Sequence, residues 1–237
     1  MRGRGVLGVA LAAAIAVAAQ PATSGGAAAG SCAAKHSRTV LANREARVYR
    51  VPTSGRKNAR REMHACLYAT GRDEALDDGG DFFRAFRPPG MALRGHRLAY
   101  GISVGAEGDE PPFTNVEMVD LRRPDPNGDG FALTAAGDGG PGDTSKIGSL
   151  AIGTHRTIAW IACPDDSAEP VGSNSDDPRP ECVRAGYGDQ VRTIAGLGKV
   201  RVLDDGRDID PTSLRVRGTR ASWIRGGRRH SARLPRR

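Results

Sequence analysis

Short apolar runs, broken every few positions by Gly, Asp, Asn or Pro, fill the chain from residue 39 onward. Runs of this kind bounded by turn formers predict strands. They cover Thr39 to Val51, Met63 to Thr70, Leu98 to Val104, Val116 to Leu121, Ser149 to Ile152 and Thr157 to Ala162. Val200 to Leu203, Ser213 to Val216 and Ala221 to Ile224 follow, and Val191 to Ile194 and His230 to Leu234 offer two more. Asp77-Asp78-Gly79-Gly80, Asp204-Asp205-Gly206 and Arg225-Gly226-Gly227 read as turns between them. A parallel α/β sheet needs crossover helices between its strands, and no segment carries the period that would make one. The expected fold is all-β and antiparallel.

The N-terminus is patterned differently. Met1 to Gly5 carries Arg2 and Arg4 and no acid, Val6 to Ala19 is continuously apolar, and Gln20 to Gly30 is small and flexible, with Ala-x-Ala-like sites near Ala19 and Ala27 to Ala29. That is the layout of a signal peptide, with an apolar run of about 14 residues, too short to span a bilayer. Residues 1–30 are therefore read as signal peptide and leader, and residues 31–237 as a single β-repeat domain with a basic C-terminal tail. The expected location is secreted or envelope-associated, with no transmembrane helix after signal removal. Cys32, preceded by Ala29-Gly30-Ser31, also offers a lipid-anchor site. A Leu-like residue is missing at Ala29, and Gln20 to Gly30 separate the site from the apolar run, so an anchor is the weaker expectation.

Within the domain four segments share one grammar: an apolar strand, a turn with Gly or Asn and polar residues, and a second strand ending on an aromatic. They read Thr39-Val-Leu-Ala-Asn-Arg-Glu-Ala-Arg-Val-Tyr49, Met91-Ala-Leu-Arg-Gly-His-Arg-Leu-Ala-Tyr100, Ser149-Leu-Ala-Ile-Gly-Thr-His-Arg-Thr-Ile-Ala-Trp160 and Ser213-Leu-Arg-Val-Arg-Gly-Thr-Arg-Ala-Ser-Trp223. The aromatics fall 51, 60 and 63 residues apart. This grammar resembles that of β-propellers of the exported TolB-like type, in which a strand, a Gly-containing hairpin and an Ala-Tyr or Ala-Trp strand recur every 40 to 60 residues or so. Ala99-Tyr100 and Ala159-Trp160 keep the pair, while the Trp-Ser-Pro-Asp-Gly turn of that class and the Trp-Asp pair of the WD class are missing. The resemblance implies antiparallel hairpin repeats in about four short blades. An incomplete ring and a two-sheet β-sandwich remain open alternatives. Each aromatic is expected to plug the core of its own hairpin, with a carbohydrate-stacking platform as the competing reading.

Composition adds bounds. With 32 Gly, 15 Pro and 5% aromatics the chain has many turns and a modest core. The formal charge of +8 becomes +6 without Arg2 and Arg4. Export argues against nucleic acid as the partner. The basic residues are spread along the chain except for Arg217, Arg220, Arg225, Arg228, Arg229, Arg233, Arg236 and Arg237, read as a solvated strand face and tail, with attraction to anionic envelope polymers or lipid headgroups as the functional alternative. Cys32, Cys66, Cys163 and Cys182 form an even set that an oxidising compartment would pair. Of three pairings, the sequence-local one is expected: Cys32 with Cys66, clipping the N-terminal strand to the domain, and Cys163 with Cys182, closing the loop between them. Zinc binding would need closely spaced cysteine pairs, and there are none.

Three motifs raise chemistry. Gly101-Ile-Ser-Val-Gly105 matches the nucleophile-elbow pattern, but Ala106-Glu-Gly-Asp-Glu-Pro-Pro112 cannot supply the helix that must follow, so Ser103 is expected to be a strand serine. Asp125-Pro-Asn-Gly-Asp-Gly130 places Asp125, Asn127 and Asp129 at the alternate positions of a calcium loop. Its second half is wrong, with Ala136 where an EF-hand needs Glu and Leu133 where a propeller loop needs Asp; Asp138 and Asp143 are the substitutes on offer, and a hairpin turn is the stronger reading. Calcium is the one cofactor the sequence suggests; otherwise none is expected. Asp109/Glu110, Asp204/Asp205 and Asp208/Asp210 are paired carboxylates of the kind glycoside hydrolysis uses, yet each sits in an apparent surface turn rather than in the apolar setting that splits two pKa values. His36, His64, His96, His155 and His230 share no metal-ligand spacing. The expected function is a non-enzymatic binding or structural module of the cell envelope, with a protein or envelope polymer as partner. The alternative is a secreted hydrolase with a loop-borne site.

Overall fold

The computed structural model describes residues 32, 34–52, 61–76, 83–85, 90–104, 113–125, 131–138, 146–163 and 188–236. Sixteen strands and no helix make up its regular structure among these residues, and every strand pairing is antiparallel, so the all-β expectation is borne out. The first sheet runs in chain order through β1 (Arg38–Ala42), β2 (Ala46–Pro52), β3 (Arg61–Leu67) and β4 (Arg72–Ala75). The second contains β5 (Phe83–Ala85) and β6 (Met91–Arg94) side by side on one edge of β7 (Arg97–Val104), followed by β8 (Phe113–Pro124) and β9 (Phe131–Asp138). The third runs through β10 (Lys146–Ile152), β11 (Thr157–Cys163), β12 (Gly188–Ala195) and β13 (Arg201–Ile209). A bridge from Ile209 to Arg225 carries it on to β15 (Arg220–Arg225), which is flanked by β14 (Arg215–Arg217) and β16 (Arg228–Arg233).

The four repeated segments are four equivalent hairpins, and each has the same irregularity on its first strand. Register slips between Thr39 and Leu41 in β1 and between Ile147 and Ser149 in β10. In the second hairpin the edge breaks outright into β5 and β6, and in the fourth the end of β13 and β14 share one edge of β15 in the same way. A bulge or break of this kind increases local twist and spoils the edge as a template for pairing with another chain.

The sheets stack face to face because side chains alternate across each strand. Ala46, Val48 and Ala65 of the first sheet pack on Leu98, Tyr100 and Val119 of the second. The opposite face of the second, with Ala99, Val116 and Met118, packs on Leu150, Ile158 and Trp160. Beyond these, Ala159, Ile161 and Val191 meet Ala221, Trp223 and Leu234, so the long third sheet turns back and covers itself. Strand β11 thus lies between two cores and is buried at every position.

The hairpin tips are tied to one another in chain order. Asn43 Nδ2 donates to the Gly95 carbonyl at 2.9 Å, Arg94 Nη1 to the Ile152 carbonyl at 3.0 Å, and both the amide and hydroxyl of Thr154 to the Gly218 carbonyl at 3.3 Å. Gly95 and Gly218 open two-residue turns with φ of 60° and 57°, the left-handed position that a II′ turn reserves for glycine. The third hairpin reaches a comparable turn without glycine: His155 and Arg156 have φ of 55° and 57°, closed by a 3.2 Å bond from Thr157 N to Thr154 O. Left-handed backbone costs a non-glycine residue about 1–2 kcal/mol. The bonds of Thr154 to Gly218 and of Gly196 N to the Arg156 carbonyl hold the turn against that cost.

Candidate binding face on the last sheet

The aromatic of each repeat is a core residue. Tyr49, Tyr100, Trp160 and Trp223 are 0%, 5%, 3% and 3% exposed, so none offers a ring to a sugar. The polar tip of three of them finds a carboxylate. Tyr49 OH donates to Asp73, Tyr100 OH to Glu117 at 3.4 Å, and Trp223 Nε1 to Asp204 at 2.6 Å. Burial first, and then the Asp73 carboxylate, hold the Tyr49 phenol protonated well above its usual range. His64 stacks on the Tyr49 ring and lies 3.3 Å from Asp73.

Burial also pushes the Glu117 carboxyl up from its ordinary value, against the opposing bond from Tyr100. Below the unfolded-state pKa both states are protonated and nothing is lost. As pH rises through the carboxylate range the unfolded chain ionises more readily, so folding loses stability. Glu117→Gln is therefore expected to flatten the pH dependence of stability from about pH 4 upward and to raise stability at the upper end. Melting curves of both proteins across that range test this; parallel pH profiles would refute it.

Of the other carboxylates singled out above, Asp204, Asp208 and Asp210 have internal partners, while Asp205 is exposed. Asp204-Asp205-Gly206 is not a turn but the middle of β13, which continues to Ile209. The reason lies on the neighbouring strand: Arg225 donates to Asp204 at 2.6 Å and to Asp208 at 3.0 Å, and a side chain at Gly206 would collide with that guanidinium. Hydrogen bonds to Asp208 and Asp204 raise the Arg225 pKa further. Asp210 accepts from the amide and hydroxyl of Thr212. Asp109 and Glu110 lie outside the described residues.

Ser103 is inside β7, paired with Arg84 on one side and Thr114 on the other, which is strand and not elbow geometry. Asp125 follows β8 directly, while Asn127 and Asp129 lie outside the described residues. Among the described residues no three His, Cys, Asp or Glu side chains converge as a metal site. The histidines are dispersed: His36 and His155 sit in left-handed turn positions, His64 and His96 beside carboxylates, and His230 over the Trp223 ring.

Cys32 is bonded to Cys66, as the sequence-local pairing expects. A sulfur in a disulfide carries no thioether-linked lipid, which corrects the anchor reading of Cys32. Cys163 is also disulfide-bonded, and Cys182 lies outside the described residues. The first bond pins the N-terminal segment over the outer face of the first sheet. Arg47 completes the cap, donating to the Cys32 carbonyl at 3.0 Å, Ser37 Oγ at 2.9 Å and Thr39 Oγ1 at 2.9 Å, with its guanidinium 4.6 Å above the Tyr49 ring.

Among the described residues, the opposite end of the stack has no such cap. Strand alternation divides the C-terminal arginines between two faces. Ala221 and Trp223 turn inward, while Arg220, Ser222 and Ile224 turn outward. Cross-strand pairing places Arg217, Arg220 and Arg233 in one row, Arg215 beside Ser222 and Ser231 in the next, and Arg229 beside Ile224 in the third. All five of these arginines are exposed. Arg220 donates to Ser231 Oγ at 3.0 Å and Arg215 to two local carbonyls, whereas Arg217, Arg229 and Arg233 have no hydrogen bond or ion pair among the described residues.

All 27 acidic residues precede Pro211, and nine arginines with no lysine and no acid follow it. Residues 32–210, with 24 Lys and Arg, carry a net −3; residues 211–237 carry +9. Basic residues are spread along the chain, but its net positive charge lies in the C-terminal strands and tail.

No family model, characterised protein or solved structure matches this chain. Among the described residues no helix is long and apolar enough to cross a membrane, and the disulfides are compatible with an extracellular location.

Proposed function

We propose that the chain is an exported, non-enzymatic binding module, a propeller-like stack of sheets whose contact surface is the uncovered face of β14, β15 and β16. The observation that carries this reading is the asymmetry between the two ends. One terminal face is closed by a disulfide-pinned segment, and the other, among the described residues, presents five exposed arginines and no acid. Commitment of Asp204, Asp208 and Asp210 to internal partners also supports a non-enzymatic role, because a hydrolase would need carboxylates free to exchange protons.

The test is to express the full chain with its leader in a bacterial host and recover it by fraction. The expected result is protein outside the cytoplasm, cleaved before Cys32, with Cys32 and Cys66 cross-linked in the peptide map. Protein retained inside the cell with the leader intact would defeat the reading.

A further inference from the structure

We infer that the arginine face of the last sheet docks a flexible linear polyanion, a polymer with closely spaced phosphodiester, sulfate or uronate groups. This rests on the reading of the chain as an exported binding module and names the partner class for that module.

Like charges placed directly opposite each other in a sheet destabilise it. Arg217, Arg220 and Arg233 form such a row across three strands, with Arg215 and Arg229 in the rows beyond, and among the described residues no carboxylate pairs with them. Elsewhere Arg225 is paired with Asp204 and Asp208, and Arg122 with Glu45, while Lys199, Arg201 and Arg207 are exposed without an ion pair among the described residues but do not stand opposite one another across strands. Three guanidiniums set side by side across adjacent strands, with no ion pair among the described residues, suit an external anion.

The geometry suits a chain of anions. Adjacent strands are about 4.8 Å apart and same-face residues along a strand about 6.7 Å apart, so the guanidiniums form a grid on the scale of a polymer's repeating charges. Arginine alone, without lysine, populates it, and the planar guanidinium binds oxyanions in a bidentate manner. Ser222 and Ser231 in the central row add hydroxyls that can bond the uncharged oxygens of a sugar or polyol backbone. A membrane surface fits less well, since a bilayer-seeking face needs several apolar or aromatic residues to insert, and this one has Ile224, 36% exposed. A second copy of the same face would meet it with equal charge.

The experiment is a titration of the oxidised mature chain with poly(glycerol phosphate), heparin, polygalacturonate, neutral dextran and phosphatidylglycerol vesicles, each at several salt concentrations. At least one polyanion is expected to bind and dextran not to. Five engaged arginines give a plot of log K against log salt with a slope of about −3.5. The triple variant Arg217→Gln/Arg220→Gln/Arg233→Gln is expected to bind on the order of 100-fold more weakly at low salt and to reduce the slope by about 2. Relief of like-charge repulsion means it should melt no lower than the parent, which separates lost binding from lost folding. Lys199→Gln/Arg201→Gln/Arg207→Gln removes the same charge elsewhere and should retain most of the affinity.

Equal losses in the two triple variants, or an unchanged slope in the first, would overturn the site. Binding to vesicles but to no polymer, weakened by Ile224→Ser, would replace the polymer with a membrane. Flat titrations throughout would overturn the polyanion while leaving export and binding to be decided by fractionation, and cytoplasmic retention would overturn that reading without altering the titrations.

Discussion

Replacing both Cys32 and Cys66 by alanine is expected to lower the stability of the folded chain by about 4 kcal/mol, the entropy cost of releasing a loop of this length in the denatured state. The bond joins residues 34 apart and both sulfurs are buried. Its effect extends past loop closure. Arg47 reaches the Cys32 carbonyl, and Ala34, Val51 and Tyr68 pack around the cystine and Tyr49. Without the covalent tie the N-terminal segment has few contacts to offset the backbone entropy of ordering it, at roughly 1–2 kcal/mol per residue. Losing the segment would expose the Tyr49 ring together with its bond to Asp73 and its stacking on His64. Natural domains are typically stable by about 5–15 kcal/mol, so the double variant should sit near the threshold of folding at physiological temperature. Denaturant titrations of the oxidised parent and the double variant measure the difference directly. A change below about 1 kcal/mol would mean that the cap is held by its non-covalent contacts and that the disulfide is incidental. Reduced parent protein, which also loses the bond at Cys163, should be at least as unstable as the variant, which ties the fold to an oxidising compartment.

What the amino-acid order disclosed, and what it withheld, follows from the range of the interactions. Hairpins were legible because their determinants are local: Gly95 and Gly218 at turn positions, flanked by short apolar runs that end on Tyr100 and Trp223. Strand β9 was not, since Phe-Ala-Leu-Thr-Ala-Ala-Gly-Asp is poor in β-branched residues and owes its state to pairing with β8. Strand β4 was missed because Arg-Asp-Glu-Ala looks like a loop until Asp73 is seen to accept from Tyr49. Asp204-Asp205-Gly206 carries turn chemistry by composition and strand geometry by context, because its carboxylate answers a Trp and an Arg of β15. The carboxylates that receive the aromatic tips lie 24, 17 and 19 residues from their donors, and nothing local marks them. The arginine cluster was visible as a run. Its division into a paired inner member, Arg225, and an uncovered outer set needed the register set by the two-residue turn at Gly218 and Thr219.

Trp160→Ala is expected to cost about 3–5 kcal/mol, the range for deleting a buried indole from a packed core. The position explains why the upper part of that range applies. Trp160 belongs to β11, the strand with a core on each side, and its ring fills the interface with Ala99, Val116 and Met118 of the second sheet. Two of the facing positions in that cluster are alanines, Ala99 and Ala135, so the sheet opposite has little side chain with which to close the gap. The backbone is equally constrained. Leu150 and Arg192 pair with Trp160 on its two sides, so the strand cannot slide inward without breaking both ladders. A cavity that cannot collapse costs more than the transfer of the missing atoms alone. Phenylalanine in the same place retains most of the volume and is expected to cost distinctly less than alanine, which makes the pair of variants informative beyond either alone. Denaturant titrations should show the alanine variant unfolding in one transition at a lower midpoint with an unchanged slope, because the second and third sheets share this core and lose it together. A loss under about 1 kcal/mol would mean that the ring is not packed as described, and would reopen the reading of the repeated aromatics as a ligand platform.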